Sequence, residues 1–381
     1  MGVSVNMQFL LTTMVGLEET TLKHVRESFG LSGEKQRNGR VIIEGEMEDA
    51  VRLVYAGRTF ERVMILLDVV ENVHTLDDVY EAVRSIEFGE FFGPDKTFAC
   101  RSDRMGEHAF TSLDIERTAG QAVVDYFMET RGKRIHANLG DPDVIVRADL
   151  DGDVLYISLD LVGYEAMHRR GYRVYDHPAA LNAALAASML LESGWRADKK
   201  LIDPFAGGGT IPIEAALWAR NVPWFRFREF LFERAQFFDP ATVLEIREEL
   251  EGKINERKIE AVGIEKYEKH VRGAMRNAES AGVIDTVTIR KGDARTFEEE
   301  ADIIVTNPPY GNRIANPRVV HDLYYNFAEN AARNGIPTVL TITSRWKWME
   351  NALKEAGYRI EKSKFVLYGK LHTHMIRATL K

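Results

Sequence analysis

The sequence holds one cysteine, Cys100, in 381 residues. A lone thiol excludes an intrachain disulfide, a cysteine-based zinc site and an iron–sulfur cluster. Nothing around it in the sequence supplies an activating base, so a buried apolar thiol is expected rather than a nucleophile. No apolar run approaches the ~18 residues of a membrane span, and there is no internal repeat, low-complexity tract or heptad pattern. Residues Met1 to Met7 carry no basic region and no small-residue cleavage site, so a secretory leader is not expected and a cytoplasmic protein is. A general excess of positive charge is also missing. The net charge is −8; residues 1–170 hold 19 Lys+Arg against 30 Asp+Glu (−11), leaving 31 against 28 (+3) for the rest. Any nucleic-acid surface in the N-terminal part must then be a local patch. Its candidates are Arg101 with Arg104, and Arg131, Lys133 and Arg134, with solvated surface charge as the plain alternative.

What is present is enough chain for two or three domains, with an ordinary 45% of hydrophobic residues. Residues 1–60 alternate a helical pattern, Leu17 to Phe29, with short strand patterns such as Arg40 to Glu44, which predicts a small α+β unit. Residues 61–165 form a second α+β stretch. In it Asp143 to Leu150 and Val154 to Leu159 read as strands joined by Asp151-Gly152-Asp153, a hairpin signal. From residue 166 to 381 strands alternate with helices, the pattern of a parallel, doubly wound α/β sheet.

The most informative stretch is Asn307-Pro308-Pro309-Tyr310. It follows Ala301 to Thr306, a short apolar run that reads as a buried parallel strand. The tetrapeptide is therefore expected at a strand's carboxyl end, where open α/β sheets bind ligands. Two consecutive prolines donate no backbone N–H, so carbonyl oxygens stand beside an Asn amide and an aromatic ring. Such a site accepts hydrogen bonds from an NH2 group and stacks on a flat ring. About a hundred residues earlier, Asp203-Pro204-Phe205-Ala206-Gly207-Gly208-Gly209-Thr210 follows a second strand-like segment. Gly207 and Gly209 fit a dinucleotide G-x-G-x-x-G loop, but Pro212 stands in the third position and no acid is suitably placed ~20 residues on. A P-loop fails because no Gly-Lys-Ser/Thr follows. Strand patterns at Ile259 to Ile264 and Val287 to Arg290 lead into Glu265 and Gly292-Asp293-Ala294.

The Asp203 and Asn307 segments together resemble motifs I and IV of S-adenosylmethionine-dependent amino-methyltransferases. The resemblance implies that residues 203–207 and 209 line the methionine moiety of the cofactor, with Asp203 facing its ammonium. It places Glu265 on the ribose hydroxyls and Asp293 with Ala294 at the adenine, and Asn307 at both cofactor and substrate. Asp176 to Asn182 resembles motif X, with Pro178 at a helix start beside the cofactor. Phe98, Arg101, Gly106, His108, Phe110, Ser112, Ile115, Gly120, Asp141-Pro142-Asp143 and Arg169 to Arg173 resemble the THUMP domain of RNA-modifying enzymes. Over its whole length the chain is similar to enzymes with a ferredoxin-like unit, a THUMP domain and a Rossmann-fold methyltransferase. Its Asn-Pro-Pro-Tyr-Gly version looks most like the tRNA guanine-N2 methyltransferases of the acceptor stem. The implied reaction is methyl transfer from a sulfonium to guanine N2 at guanosine 6. Asn307 and the Pro308 carbonyl would accept the amine N–H groups, and Tyr310 would stack under a base taken out of its helix. The implied partner is tRNA, met at the acceptor stem and 3′ end.

Other readings stay open at this stage. Enzymes similar in motif that act on guanosine 10 more often carry Asp where this chain has Asn307; an rRNA guanine or a DNA adenine methyltransferase is a further reading. A non-catalytic RNA-binding protein with a methyltransferase fold is the reading from another class. The aromatic insertion from Val222 to Lys253 is expected to cap the cofactor, to meet RNA or to pack as a helical element. His372 and His374 share a strand face, but with no third ligand evident a strand surface is expected there and no metal.

Overall fold

The computed structural model describes residues 7–235, 237–311 and 317–381, so the residues behind the leader argument lie almost wholly outside it. Two compact units divide the chain. The first comprises Met1–Thr13, Val25–Met167 and Arg228–Glu249; the second comprises Met14–His24, His168–Phe227 and Leu250–Lys381.

The first unit is built on β1 (Met7–Thr12), α1 (Glu18–Phe29, shared with the second unit), β2 (Ser32–Lys35), β3 (Arg40–Gly45), α2 (Met47–Ala56) and β4 (Arg62–Val70). It continues through α3 (Leu76–Arg84), β5 (Thr97–Arg101), β6 (Arg104–Met105), α4 (Ser112–Arg131), β7 (His136–Ala137), β8 (Val144–Asp151) and β9 (Val154–Asp160). One sheet runs across all of it in the order β2-β3-β1-β4-β9-β8-β5-β7, with β6 on β8. The ferredoxin-like part and the THUMP part thus share a sheet, joined where β4 pairs antiparallel with β9. The expected hairpin forms: Asp151 pairs with Val154, and Gly152 takes φ +63 at the turn. A capping box at Thr111 and Asp114 starts α4, and Gly132 in the left-handed region ends it. Cys100 is buried in β5, and burial pushes its thiol up to about 12, as an inert apolar thiol requires.

The insertion resolves into α7 (Phe232–Ala235) and α8 (Pro240–Gly252). Its residues 228–249 belong to the first unit, where Phe230 and Phe232 pack on Tyr55 at ring centroids of 5.9 and 5.2 Å. For this stretch the packing alternative is the observed one.

The second unit carries α5 (Ala183–Ser193), β10 (Leu201–Asp203), α6 (Thr210–Ala219), β11 (Ala261–Glu265), α9 (Glu268–Ser280), β12 (Val287–Lys291), β13 (Ile303–Thr306), α10 (Pro317–Arg333), β14 (Thr338–Thr343), α11 (Trp346–Glu355), β15 (Tyr358–Tyr368) and β16 (Leu371–Leu380). Its sheet order is β12-β11-β10-β13-β14-β16-β15. The first five of these strands are parallel, β16 pairs antiparallel with β14, and β15 pairs antiparallel with β16. All residues of β10, β11 and β13 are buried, which explains why they read as short continuous apolar runs. From β10 the chain winds outward through β11 and β12, then crosses back to β13 on the other side. The switch point therefore lies between β10 and β13.

Candidate active site at the switch point

Asp203 closes β10 and Thr306 closes β13, and the two side chains meet across the switch point. The Thr306 hydroxyl donates to the Asp203 carboxylate at 2.6 Å, and the Phe205 N–H donates to the same oxygen at 3.1 Å. Asp203 is only 2% exposed and has no lysine or arginine partner among the described residues. Burial pushes its carboxyl up to about 7, with the nearby Glu265 adding to the rise and the two hydrogen bonds opposing it. A buried acid without a cation fits a site that takes a cation from outside.

The loop beyond it is held in place by the next strand. Pro204 and Ala206 are buried, and the Ala206 N–H donates to the Ile264 carbonyl at 2.9 Å. Gly207 and Gly209 take φ +54 and +79, and a Cβ on Gly209 would press on Ala274 at 3.2 Å, so only glycine suits both its backbone and its surroundings. Glu265 closes β11 with one carboxylate oxygen accepting from the Gly207 N–H (3.2 Å) and the other from the Tyr267 N–H (2.9 Å). Each oxygen keeps a further lone pair for a ligand hydroxyl. Asp293, just beyond β12, is partly exposed. The Arg295 guanidinium grips it in a fork at 2.8 and 2.6 Å and holds its carboxyl down at about 2, so it is a fixed anion; Ala294 beside it is buried.

At the end of β13 the Tyr310 hydroxyl donates to the Asn307 side-chain oxygen at 2.7 Å, leaving that oxygen one lone pair. Burial pushes the Tyr310 phenol well above its usual range, so it stays a donor. The Tyr324 hydroxyl donates to the Pro309 carbonyl at 3.0 Å and lies 2.7 Å from the Thr343 hydroxyl, while the Arg345 Nε–H donates to the Tyr310 carbonyl at 3.4 Å. Among the described residues no hydrogen bond engages the Pro308 carbonyl.

Pro178 does not open a helix. It sits in an exposed turn, and α5 starts later, at Asn182, whose side chain accepts from the N–H groups of Ala184 and Leu185. An Asn cap with its own carbonyl oxygen outcompetes a proline that merely tolerates a first turn. What fixes the preceding segment is Asn277 of α9, 1% exposed, which sequence reasoning missed. Its amide accepts from the N–H groups of Val174 and Tyr175 and donates to the carbonyls of Tyr175 and Gly208, at 2.8–3.1 Å. Also missed was Glu214 of α6, wholly buried, which takes Arg170 at 3.2 Å and the Tyr172 hydroxyl at 3.0 Å, with the guanidinium 4.0 Å above the Trp224 ring. A buried Asn or Glu on an otherwise apolar helix face was the available signal; its partners, 40 to 100 residues away, were not.

The expected cation patch separates into two kinds of residue. Arg101 donates to the carbonyls of Cys100 and Leu139, and Arg104 to the Gly106 carbonyl, so both guanidiniums hold loops. Arg131, Lys133 and Arg134 are exposed and in no ion pair among the described residues. His372 and His374 gather no third ligand, and no group of three metal-binding side chains occurs among the described residues. No helix there is long and apolar enough to cross a membrane.

Three family models match in tandem: the RlmL ferredoxin-like domain over residues 8–64, the THUMP domain over 73–160, and the RMKL-like methyltransferase domain over 170–374. The chain is 44% identical over 377 residues to a tRNA (guanine(6)-N2)-methyltransferase of Archaeoglobus fulgidus, covering 98% of this chain and 92% of that one. It is 37% identical to the protein of the same name in Methanocaldococcus jannaschii, over 98% and 100%. A solved structure of a possible methylase from Clostridium difficile 630 superposes with a TM-score of 0.87 at 25% identity, over 99% of each chain. With its parallel sheet and glycine loop, a methyltransferase model matched over more than half its length and a THUMP model before it, the chain belongs to the RMKL-like, THUMP-bearing methyltransferase family.

Proposed function

We propose that this protein is an S-adenosylmethionine-dependent tRNA guanine-N2 methyltransferase that forms N2-methylguanosine at guanosine 6 of the acceptor stem. The observation that carries the reading is the pairing of Asn307-Pro308-Pro309-Tyr310 with Asp203 across the switch point, joined by the Thr306 hydroxyl. The names of the two archaeal relatives support the position. When bound, the cofactor supplies an electrophilic methyl group on a sulfonium. Asp203 would face its ammonium, residues 204–207 and Gly209 would line the methionine moiety, Glu265 would take the ribose hydroxyls, and Asp293 with Ala294 would take the adenine; Pro178 lies on the segment that Asn277 ties to Gly208.

The exocyclic amine of guanine is a poor nucleophile because its lone pair is delocalised into the ring. The free lone pair of the Asn307 amide oxygen and the Pro308 carbonyl each accept one N–H. This draws the nitrogen toward tetrahedral geometry and stabilises the positive charge that develops on it. Tyr310 positions Asn307 through its hydroxyl and offers its ring to the base, which must leave the stem to arrive. Arg131, Lys133 and Arg134 supply phosphate contacts toward the acceptor stem and 3′ end. A tRNA substrate puts the enzyme in the cytoplasm.

The test is methylation of tRNA transcripts with labelled cofactor, followed by nuclease mapping and mass spectrometry. N2-methylguanosine at position 6, lost when guanosine 6 is replaced by adenosine, is the expected result. A methyl on guanosine 10, on a ring carbon or on ribose, or no methyl at all, overturns it.

A further inference from the structure

The His372-Thr-His374 pair, which gathers no third metal ligand among the described residues, belongs to a cluster of rings beside the candidate active site. His374 stacks on Trp346 at 4.4 Å and 18° between planes. Phe365, directly opposite His374 in the β15–β16 pairing, meets His374 and His372 edge to face at 6.1 and 5.5 Å. Phe365 is 39% exposed and His372 is exposed, whereas Trp346 and His374 are partly buried beneath them. Two exposed lysines accompany the rings, one in space and one in sequence. Lys347 lies 5.3 Å from the Trp346 ring, and Lys370 occupies the hairpin turn two residues before His372; neither is in an ion pair among the described residues.

This cluster is tied rigidly to the amine-accepting loop. The Arg345 N–H donates to the Thr343 hydroxyl, which meets Tyr324, which holds the Pro309 carbonyl, while the Arg345 side chain reaches the Tyr310 carbonyl. Trp346 is the next residue. Exposed aromatic rings with lysines nearby that make no ion pair among the described residues suit a single-stranded nucleic acid, whose bases stack while its phosphates are neutralised. They do not suit a membrane, which wants a wider apolar face.

We infer that the Trp346/Phe365/His372/His374 cluster is a base-stacking site for the RNA strand adjoining the target nucleotide, with Phe365 and His372 against the base and Lys347 and Lys370 on its phosphates. The inference rests on the tRNA reading above and gives the catalytic unit an RNA contact of its own. It also explains how a base pulled from the stem is kept from returning: the neighbouring unstacked nucleotide is held as well.

The experiment compares the wild-type protein with Phe365→Ala, Phe365→Trp, His372→Ala and Lys370→Ala, using a labelled tRNA transcript, a labelled single-stranded 12-nucleotide RNA, and cofactor titration. All three positions are exposed, so the fold should survive, and unchanged thermal denaturation confirms it. Phe365→Ala should raise the Kd for both RNAs about tenfold or more with the cofactor Kd unchanged. Phe365→Trp should restore it, and Lys370→Ala should lower the salt slope by about one. Unchanged Kd values for Phe365→Ala and His372→Ala overturn the inference. A wild-type protein that fails to methylate tRNA overturns the proposed function instead, and the site is then decided by the 12-nucleotide RNA alone.

Discussion

Replacing Asp203 with asparagine should separate cofactor recognition from fold stability. The wild-type carboxyl sits at about 7 against an ordinary 3.8. Because the folded-state value lies above the unfolded one, it is the protonated carboxyl that favours folding. That contribution is complete below about pH 4 and is lost as pH rises through about 7. Three units at 1.36 kcal/mol each make the loss on the order of 4 kcal/mol, so above neutrality the ligand-free enzyme carries a buried charge that costs stability. An incoming ammonium reverses the preference, since only the ionised carboxylate attracts it. As pH falls from 8 to 5.5 the free-enzyme carboxyl becomes protonated, so cofactor affinity should fall on the order of tenfold, with a proton released on binding at the acid end. Asp203→Asn keeps an oxygen for Thr306 and Phe205 but has no charge to lose. It should raise the melting temperature of the ligand-free protein at pH 8, weaken cofactor binding there about tenfold to a hundredfold, and flatten the pH dependence. Isothermal titration in paired buffers of different ionisation enthalpy counts the protons, and thermal denaturation follows stability. A variant that binds like the wild type with the same pH slope refutes the assignment of Asp203 to the ammonium.

Asn307→Ala should lower turnover about a hundredfold or more with tRNA affinity nearly intact; Tyr310→Phe, which keeps the ring and the Asn307 acceptor and loses only the hydroxyl that orients it, should be mild beside that, and Tyr310→Ala should weaken productive capture by about 1–3 kcal/mol. Steady-state kinetics separate the three, and wild-type turnover in Asn307→Ala would remove its amine-polarising role. Lys133→Ala with Arg134→Ala should reduce the slope of log K against log salt by about two, whereas an unchanged slope would leave these cations as solvated surface. Arg170→Leu strands the buried Glu214 carboxylate and should cost about 3–5 kcal/mol, read by denaturant unfolding; a shift below 1 kcal/mol would show the pair to be dispensable. Point variants are preferable to deleting residues 1–165, because that deletion would leave Phe230 and Phe232 without Tyr55.

The sequence by itself determined the fold class and the residues at the strand ends. Buried parallel strands must be short, continuous and apolar, so Ala301 to Thr306 was legible, and with it the place of Asn307; the same holds for Asp203, Glu265 and Asp293. The Asp151 to Asp153 turn was legible for the same local reason. Helix onset at Asn182 was missed because two acceptable starts compete locally and only the side-chain cap decides between them. What the tertiary structure alone decided is which polar groups meet. Thr306 reaches Asp203 across 103 residues, Asn277 ties Val174 to Gly208, and Arg101 holds carbonyls while Lys133 is exposed with no ion pair among the described residues. Segment 228–249 joined the first unit because its phenylalanines needed an apolar partner that periodicity does not name. Local periodicity records which face a residue shows, but desolvation and pairing depend on neighbours brought together only when the sheet closes.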